Sequence, residues 1–293
     1  MALNTFINSI KTIADKHLSE LENHFNADVL TYFGGIDDTY GEVFRNAIEG
    51  LVAEQKKTKH KKLVIVLQTF GGSVETTEKW VNMIRKYYDE VYFIIPNYAM
   101  SAGTIFCMSG NKIYMDYSSS LGPIDPQIYS AKSDRFVPAL GYICAFDDMV
   151  KKSNAGTLSN AEFVMLEKQI DLAFLDNCKK LAGLTEKLLK DWLLKYKFGD
   201  WKTTATRKLP VTEQMKIDRA QQIAKELGDN DKWNIHSRPI MLKDLEAMNL
   251  IIDDYTDDEE LKPLIRQYVD FLNQYLQSQN MNNARFIHTR LFI

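Results

Sequence analysis

Two short stretches of this 293-residue chain carry residue types and spacings suited to chemistry. Gly71-Gly72 follows the apolar run Leu63-Val64-Ile65-Val66-Leu67 and precedes a segment with helical spacing. Ala99-Met100-Ser101-Ala102-Gly103-Thr104 follows a second apolar run, Val91 to Ile95, closed by Pro96. A serine set between a strand and a helix projects at the carboxyl edge of an α/β sheet, where open sheets bind ligands. The helix start supplies free N–H groups and positive potential, which favour a developing oxyanion. The small neighbours Ala99, Ala102 and Gly103 leave room for a substrate backbone. Ser101 alone reads either as a helix cap or as a nucleophile. The glycine pair adds a second strand–turn–helix unit at the same edge, with amides able to point at a carbonyl oxygen.

The elements that must position these residues follow from periodicity. Leu3 to Phe25 has apolar residues at spacings of three and four, the pattern of an amphipathic helix. Ala27–Phe33 reads as a strand ended by Gly34-Gly35, and Thr39–Glu54 as a helix. Leu63–Leu67 is a continuous apolar run of the kind buried on both faces of a parallel sheet. Ser73 is placed to cap the helix that carries Trp80, Ile84 and Tyr88 inward. Val91–Ile95 is the next strand, Ser101–Met108 a short helix stopped by Gly110, and Lys112–Met115 another strand. Strands alternating with helices through short connections predict right-handed crossovers and a mainly parallel sheet. From Asn160 to Phe198 and from Glu213 to Leu227 the pattern is helical. A short helix over 242–248, a final short strand and an amphipathic helix over Glu259–Gln279 complete the chain. The expected organisation is an N-terminal helix over 1–26, an α/β core over 27–155, a helical continuation over 156–254, and a C-terminal helix and tail over 255–293.

Composition narrows the function. A hydrophobic content of 45%, with 26% charged residues, is ordinary for a globular chain. A net charge of −3 gives no reason to expect nucleic acid or an anionic membrane as partner. The basic run Lys56, Lys57, Lys59, Lys61 and Lys62 reads as a solvated connection between helix and strand. Three unpaired cysteines, Cys107, Cys144 and Cys178, suggest a reducing compartment. The N-terminus lacks a basic n-region followed by a continuous apolar run, acidic residues begin at Asp15, and no run of about 18 apolar residues occurs. A cytoplasmic chain without a membrane span is expected. Neither CxxC nor HExxH is present, nor is G-x-G-x-x-G, so no metal or cofactor is expected.

The elements TFGGSVETTEKW, NYAMSAGTIFCMSGNKIYMD and SSSLGPIDPQI resemble the ClpP/crotonase superfamily. SLGPIDPQ and AKELGDNDKWNIHSRPI resemble its serine dehydrogenase proteinase family in particular, which is similar to signal-peptide peptidase A. The resemblance covers roughly residues 28–252. It implies a spiral of ββα units around a mainly parallel sheet, with a helical C-terminal extension. It implies a serine peptidase in which Ser101 is the nucleophile and the amides of Gly72, Gly71 and Ala102 form the oxyanion hole. The ClpP triad is absent in its usual form, because the stretch Gly122–Gln127 holds no histidine. Signal-peptide peptidase A uses a downstream lysine, and Lys151 and Lys152 sit in a matching place; Lys152 is preferred. Such a lysine must be neutral to take the serine proton, so its pKa must be depressed.

Asp125, between two prolines, either orients the base, lines the substrate groove or fixes its own loop by an Asx turn. Ser120 and Thr104 are expected to line the site, and His236 to help dock the C-terminal segment. The resemblance also implies a peptide or unfolded protein as substrate and a homo-oligomer, with the helices over 3–25 and 259–279 as packing surfaces. Whether a partner ATPase feeds it is left open. Two further readings stand beside the peptidase: a catalytically inactive assembly module, and a crotonase-like acyl-CoA enzyme. The second lacks an acidic residue at the places near the glycine turns where such enzymes set their acid or base, and any adenine or pantetheine signature.

Overall fold

Alternation within the central strands decides which helices cover which face. The computed structural model describes residues 2–58, 61–130, 134–204, 208–233, 235–281 and 285–291. Its elements run α1 (Ala2–Phe25), β1 (Asp28–Phe33), α2 (Gly41–Thr58), β2 (Lys62–Gln68), α3 (Val74–Arg85), β3 (Glu90–Ile95), β4 (Tyr98–Ala99), α4 (Ala102–Met108), β5 (Lys112–Met115) and β6 (Ser120–Leu121). There follow β7 (Gln127–Ser130), β8 (Arg135–Pro138), α5 (Ala139–Asn154), α6 (Asn160–Gln169), α7 (Leu172–Trp192), a π-helical turn over Leu193–Lys197, α8 (Glu213–Leu227), α9 (Asn230–Trp233), α10 (Leu242–Ala247), β9 (Asp253–Asp254), α11 (Leu261–Ser278) and β10 (Phe286–His288).

Six strands form the main sheet in the order β10-β1-β2-β3-β5-β9. All neighbours are parallel except β10, which joins β1 antiparallel. This is the mixed α/β architecture with a mainly parallel sheet that the alternation predicts. Leu63, Ile65 and Leu67 point into one core with Trp80, Ile84 and Phe106 from α3 and α4. Val64 and Val66 point into the other, with Leu18 and Leu21 of α1 and Ile265, Val269 and Leu272 of α11. Burial on both faces is why β2 reads as unbroken apolar sequence.

That second core takes in both terminal helices. Among the described side chains, Ala14, Leu18, Leu21 and Phe25 of α1 and the apolar residues of α11 pack against this chain's own sheet. Each such leucine buried contributes on the order of 2 kcal/mol through lost contact with water. The tail folds back as well. Thr31, Tyr32 and Phe33 of β1 pair with His288, Ile287 and Phe286, which closes that edge of the sheet. Nothing in the sequence of the tail announced a strand, because a three-residue strand is too short to show alternation.

The basic run is only partly visible. Lys62 Nζ lies 3.8 Å from a Glu90 carboxylate oxygen, while the side chains of Lys56, Lys57 and Lys59 lie outside the described residues. Cys107 and Cys178 are buried and Cys144 is exposed, all three as free thiols. Among the described residues, no helix is long and apolar enough to cross a membrane.

Candidate active site

The two turns meet because β2 and the segment before Ser101 continue to pair beyond the main sheet. Thr69 N–H donates to the Tyr98 carbonyl at 3.1 Å, and Met100 N–H donates to the Thr69 carbonyl at 2.9 Å. The ladder leaves Gly71 directly against the serine. A β-carbon on Gly71 would lie 2.9 Å from Ser101 Cβ, 2.7 Å from the Met100 oxygen and 3.1 Å from Ala102 N. With φ of +100°, Gly71 also occupies backbone space that L side chains rarely adopt. Gly103 serves the same convergence, since a β-carbon there would meet Thr69 Cγ2 at 2.4 Å. Glycine here is required by contact as well as by conformation.

The backbone of Ser101 departs from that of a helix cap. It sits at φ 52° and ψ −119°, and its side chain makes no capping hydrogen bond to α4. A non-glycine residue held there carries strain of about 1–3 kcal/mol. A capping serine has extended backbone and a hydroxyl turned onto the helix amides, and neither holds here. Ser73 shows the contrast. It is extended at φ −76° and ψ 130°, and its hydroxyl accepts from Thr76 N–H at 2.9 Å. Ser101 is half-buried at the surface of an otherwise buried α4.

The amides sort themselves by what they already bind. Gly71 N–H donates to Thr69 Oγ1 at 2.9 Å, so it is engaged within its own turn. Around Gly72, the Ile36 amide donates to the Gly71 oxygen at 2.9 Å and the Ser73 amide to the Ile36 oxygen at 2.8 Å. The Gly72 N–H belongs to neither bond, and Gly72 is exposed. Ala102 is the first residue of α4, where an amide has no acceptor inside the helix. Of the three expected oxyanion donors, Gly72 and Ala102 keep their amides outside these bonds.

The remaining expected residues fall into different roles. Thr104 is fully buried, and its Oγ1 lies 2.9 Å from the Ala99 oxygen, the Gly122 oxygen and the Gly122 amide. It clamps the Gly122 loop to the strand before Ser101 and does not line an open groove, which corrects the expectation. Ser120 is buried in β6, its amide donating to the Asn97 oxygen. Asp125 is buried, and Gln127 Nε2 donates to its Oδ2 at 3.1 Å. His236 is half-buried, and burial lowers its pKa. Its segment docks where expected, with Leu121 and Ile240 exchanging backbone hydrogen bonds of 3.0 and 2.8 Å.

No described hydrogen bond or ion pair joins Lys152 to the serine. Its ammonium pairs with a Glu162 oxygen at 2.5 Å, exposed to solvent. The Glu162 hydrogen bond raises its pKa, opposite to the direction a base needs. The amide of Ala139, at the start of α5, is tied to the Pro126 oxygen at 2.8 Å, and thirteen helical residues carry Lys152 about 20 Å further along. Lys151 is exposed too, 3.3 Å from Asp148. Among the described lysines, Lys197 has a depressed pKa, brought to about 8 by burial. Its neighbours include the charged Asp253 and Lys112, the latter at the amino end of β5, and the buried Cys107 thiol at the far end of α4, about 9 Å of helix from Ser101.

Sequence reasoning passed over Thr69 and Phe70. Thr69 holds the Gly71 amide, while Phe70 is 72% exposed and stacks on Tyr98 at 4.4 Å beside the glycine turn. An aromatic next to Gly-Gly was the available signal. Among the described residues, no group of three or more His, Cys, Asp or Glu side chains is placed to hold a metal ion.

Comparisons with known proteins bear on the same region. The chain is 24% identical over 281 residues to an uncharacterized protein of Methanocaldococcus jannaschii, covering 90% of this chain and 85% of that one. A second uncharacterized protein of the same organism is 24% identical over 189 residues, 64% of this chain and 51% of its own length. Among solved structures, a serine-to-alanine mutant of the membrane-bound stomatin-specific protease 1510-N is 13% identical with a TM-score of 0.46, covering 80% of this chain and 82% of that one. A mutant ClpP1 of Listeria monocytogenes is 9% identical with a TM-score of 0.41, covering 82% and 99%. The model of a family described as ClpP-like SDH-type serine proteinase matches residues 36–148. The stretch that holds Gly71, Gly72, Ser101 and the loop through Asp125 lies within the residues that this family model matches.

Proposed function

We propose that this chain is a serine peptidase in which Ser101 attacks a peptide carbonyl and the amides of Gly72 and Ala102 hold the tetrahedral oxyanion. The observation that carries the reading is the Ser101 backbone at φ 52°, with its hydroxyl unused by α4 and its Cβ packed against Gly71. A strained, uncapped serine at a strand–helix junction is the cost of aiming a hydroxyl at substrate. The acyl-enzyme would then be released by water, which needs a base to deprotonate first Ser101 and then the water.

Lys152 is the proposed base. For that role its pair with Glu162 must open, and α5 must reach a serine through movement or from a second copy in a homo-oligomer. The exposure of the α5–α6 arm supports this. Only Ala139 of α5 is buried, and Phe163, Val164 and Met165 of α6 are 56%, 44% and 55% exposed. Peptides or unfolded proteins are the proposed substrates. The Lys152–Glu162 pair also suits the inactive assembly module, so one experiment is set against both. Labelling by a fluorophosphonate is expected in the wild type, absent in Ser101→Ala, and at least 100-fold slower in Lys152→Ala. Wild type that never labels, in any assembly state, selects the inactive module. Lys152→Ala that labels normally while Lys151→Ala does not moves the base by one residue.

A further inference from the structure

A cavity of about 480 Å³ opens between the Asp125 loop and the helices α5, α7 and α8, away from the serine. Its size falls within the range of small-molecule sites, roughly 300–1,000 Å³. The apolar wall is made by Ile124, Leu140, Ile143, Ala182 and Ala224. Two observations mark it as more than a packing gap. Thr185 lines it, is 2% exposed, and its buried Oγ1 has no hydrogen-bond partner. A buried hydroxyl left unsatisfied costs about 1–3 kcal/mol, which a ligand atom accepting or donating there recovers. Gly183 also lines the cavity, and a β-carbon on it would meet nothing within 4 Å. A glycine in mid-helix weakens α7 by about 1 kcal/mol relative to alanine, and packing against a neighbour does not require it.

The charges around the cavity select the ligand. Lys179 and Lys225 lie on its lining, with Glu186 as the carboxylate. Glu186 is answered by Lys190 at 3.1 Å. Lys179 reaches Asp147 only at 4.0 Å, and Lys225 enters none of the described ion pairs. Apolar walls, a buried hydroxyl and ammonium groups in excess suit one chemistry. We propose that this cavity binds a small carboxylate carried on an apolar chain, either a free fatty acid or the C-terminal end of an apolar peptide. The chain lies on Ile124 and Leu140, and the polar end is shared between Thr185 and the lysines.

The site is joined to the serine without being part of it. Ile124 N–H donates to the Leu227 oxygen at 3.1 Å, and Ala139 N–H to the Pro126 oxygen at 2.8 Å. The same loop is clamped through Gly122 and Thr104 to Ala99, two residues before Ser101. Binding is independent of whether Ser101 is a nucleophile, so its failure leaves the peptidase reading untouched.

The test measures binding of octanoate, N-acetyl-dileucine and octylamine to the intact chain by calorimetry, with hydrogen exchange read over residues 122–143. At least one of the two carboxylates is expected to saturate a single site and to slow exchange of Ile124, Gln127 and Ile143, while octylamine does neither. The carboxylate that binds identifies the source. Gly183→Leu is expected to fold normally, since its side chain enters the cavity, and to abolish binding. Lys225→Met and Thr185→Val are expected to weaken it about tenfold each, with Thr185→Val at least as stable as the wild type. Binding of neither carboxylate, equal binding of octylamine, or unchanged binding in Gly183→Leu overturns the proposal.

Discussion

Gly71 and Ser101 are pressed together so closely that each limits what the other can be. Gly71→Ala adds a carbon 2.7 Å from the Met100 oxygen and 2.9 Å from Ser101 Cβ, at a φ of +100°. The expected result is a loss of about 1–3 kcal/mol in stability. Fluorophosphonate labelling should also fall at least 100-fold, because the serine must move. Denaturant midpoints and labelling rates check both. Ser101 makes the opposite prediction. Its φ of 52° suits glycine better than any L residue, and no cap is lost when its hydroxyl goes. Ser101→Gly is therefore expected to exceed Ser101→Ala in stability by about 1 kcal/mol, although neither labels. A Ser101→Gly chain no more stable than Ser101→Ala would remove the strain argument. The residue types at both positions were legible from their neighbours in sequence. The occupied amide of Gly71 was not, because its acceptor, the Thr69 hydroxyl, is chosen by how the turn closes.

At the scale of elements, β10 is held by a buried polar chain that joins it to two helices and one strand. His288 is fully buried, its Nδ1 2.7 Å from the Tyr268 hydroxyl on α11 and its Nε2 3.0 Å from Asp15 on α1. The Tyr268 hydroxyl in turn lies 2.6 Å from Thr31 Oγ1 on β1. Burial lowers the His288 pKa below the ordinary value of 6.5, against the raising effect of Asp15 and with a lowering contribution from Lys11. In the unfolded chain this histidine takes up its proton first as pH falls. Stability is therefore complete above about pH 6.5 and declines as pH drops below it, by at most about 1.4 kcal/mol per pH unit for one proton. Burial gives His236 the same sign. Urea unfolding between pH 7.5 and 5 should show this slope, and His288→Gln should flatten it. A slope unchanged in His288→Gln would assign the effect elsewhere. The strands and helices that carry periodicity were readable in advance. The short β10 and the β7–β8 hairpin were not, since three or four residues do not establish a period.

For the molecule as a whole, the exposure of α5 governs how the proposed base, Lys152, would reach a serine. α5 and α6 stand largely exposed, and Lys152 lies about 20 Å of helix from the Ala139 amide that touches the Pro126 loop. If a second copy supplies the lysine, Ser101→Ala and Lys152→Ala chains, each inactive alone, should recover peptide cleavage when mixed and reassembled. About a quarter of wild-type sites would combine an intact serine with an intact lysine under random pairing, an estimate from a symmetric closed assembly. Recovery near zero, with mixed oligomers shown by native mass spectrometry, would place the base within the same chain. The apolar residues Phe163, Val164 and Met165 of α6 are the surface that such an assembly would cover.

The sequence by itself determined the parallel sheet, the serine and its glycine turn. Apolar runs, glycines and a lone serine at a strand–helix junction act through local rules that need no distant partner. Tertiary structure alone decided which amide stays outside the ladder, that Thr104 clamps the loop, that α1 and α11 are covered in their own chain, and that Lys152 faces Glu162. Those outcomes depend on how separate pieces meet, across the sheet, between α5 and α6, or at the close of a turn. No local spacing of residues carries that information.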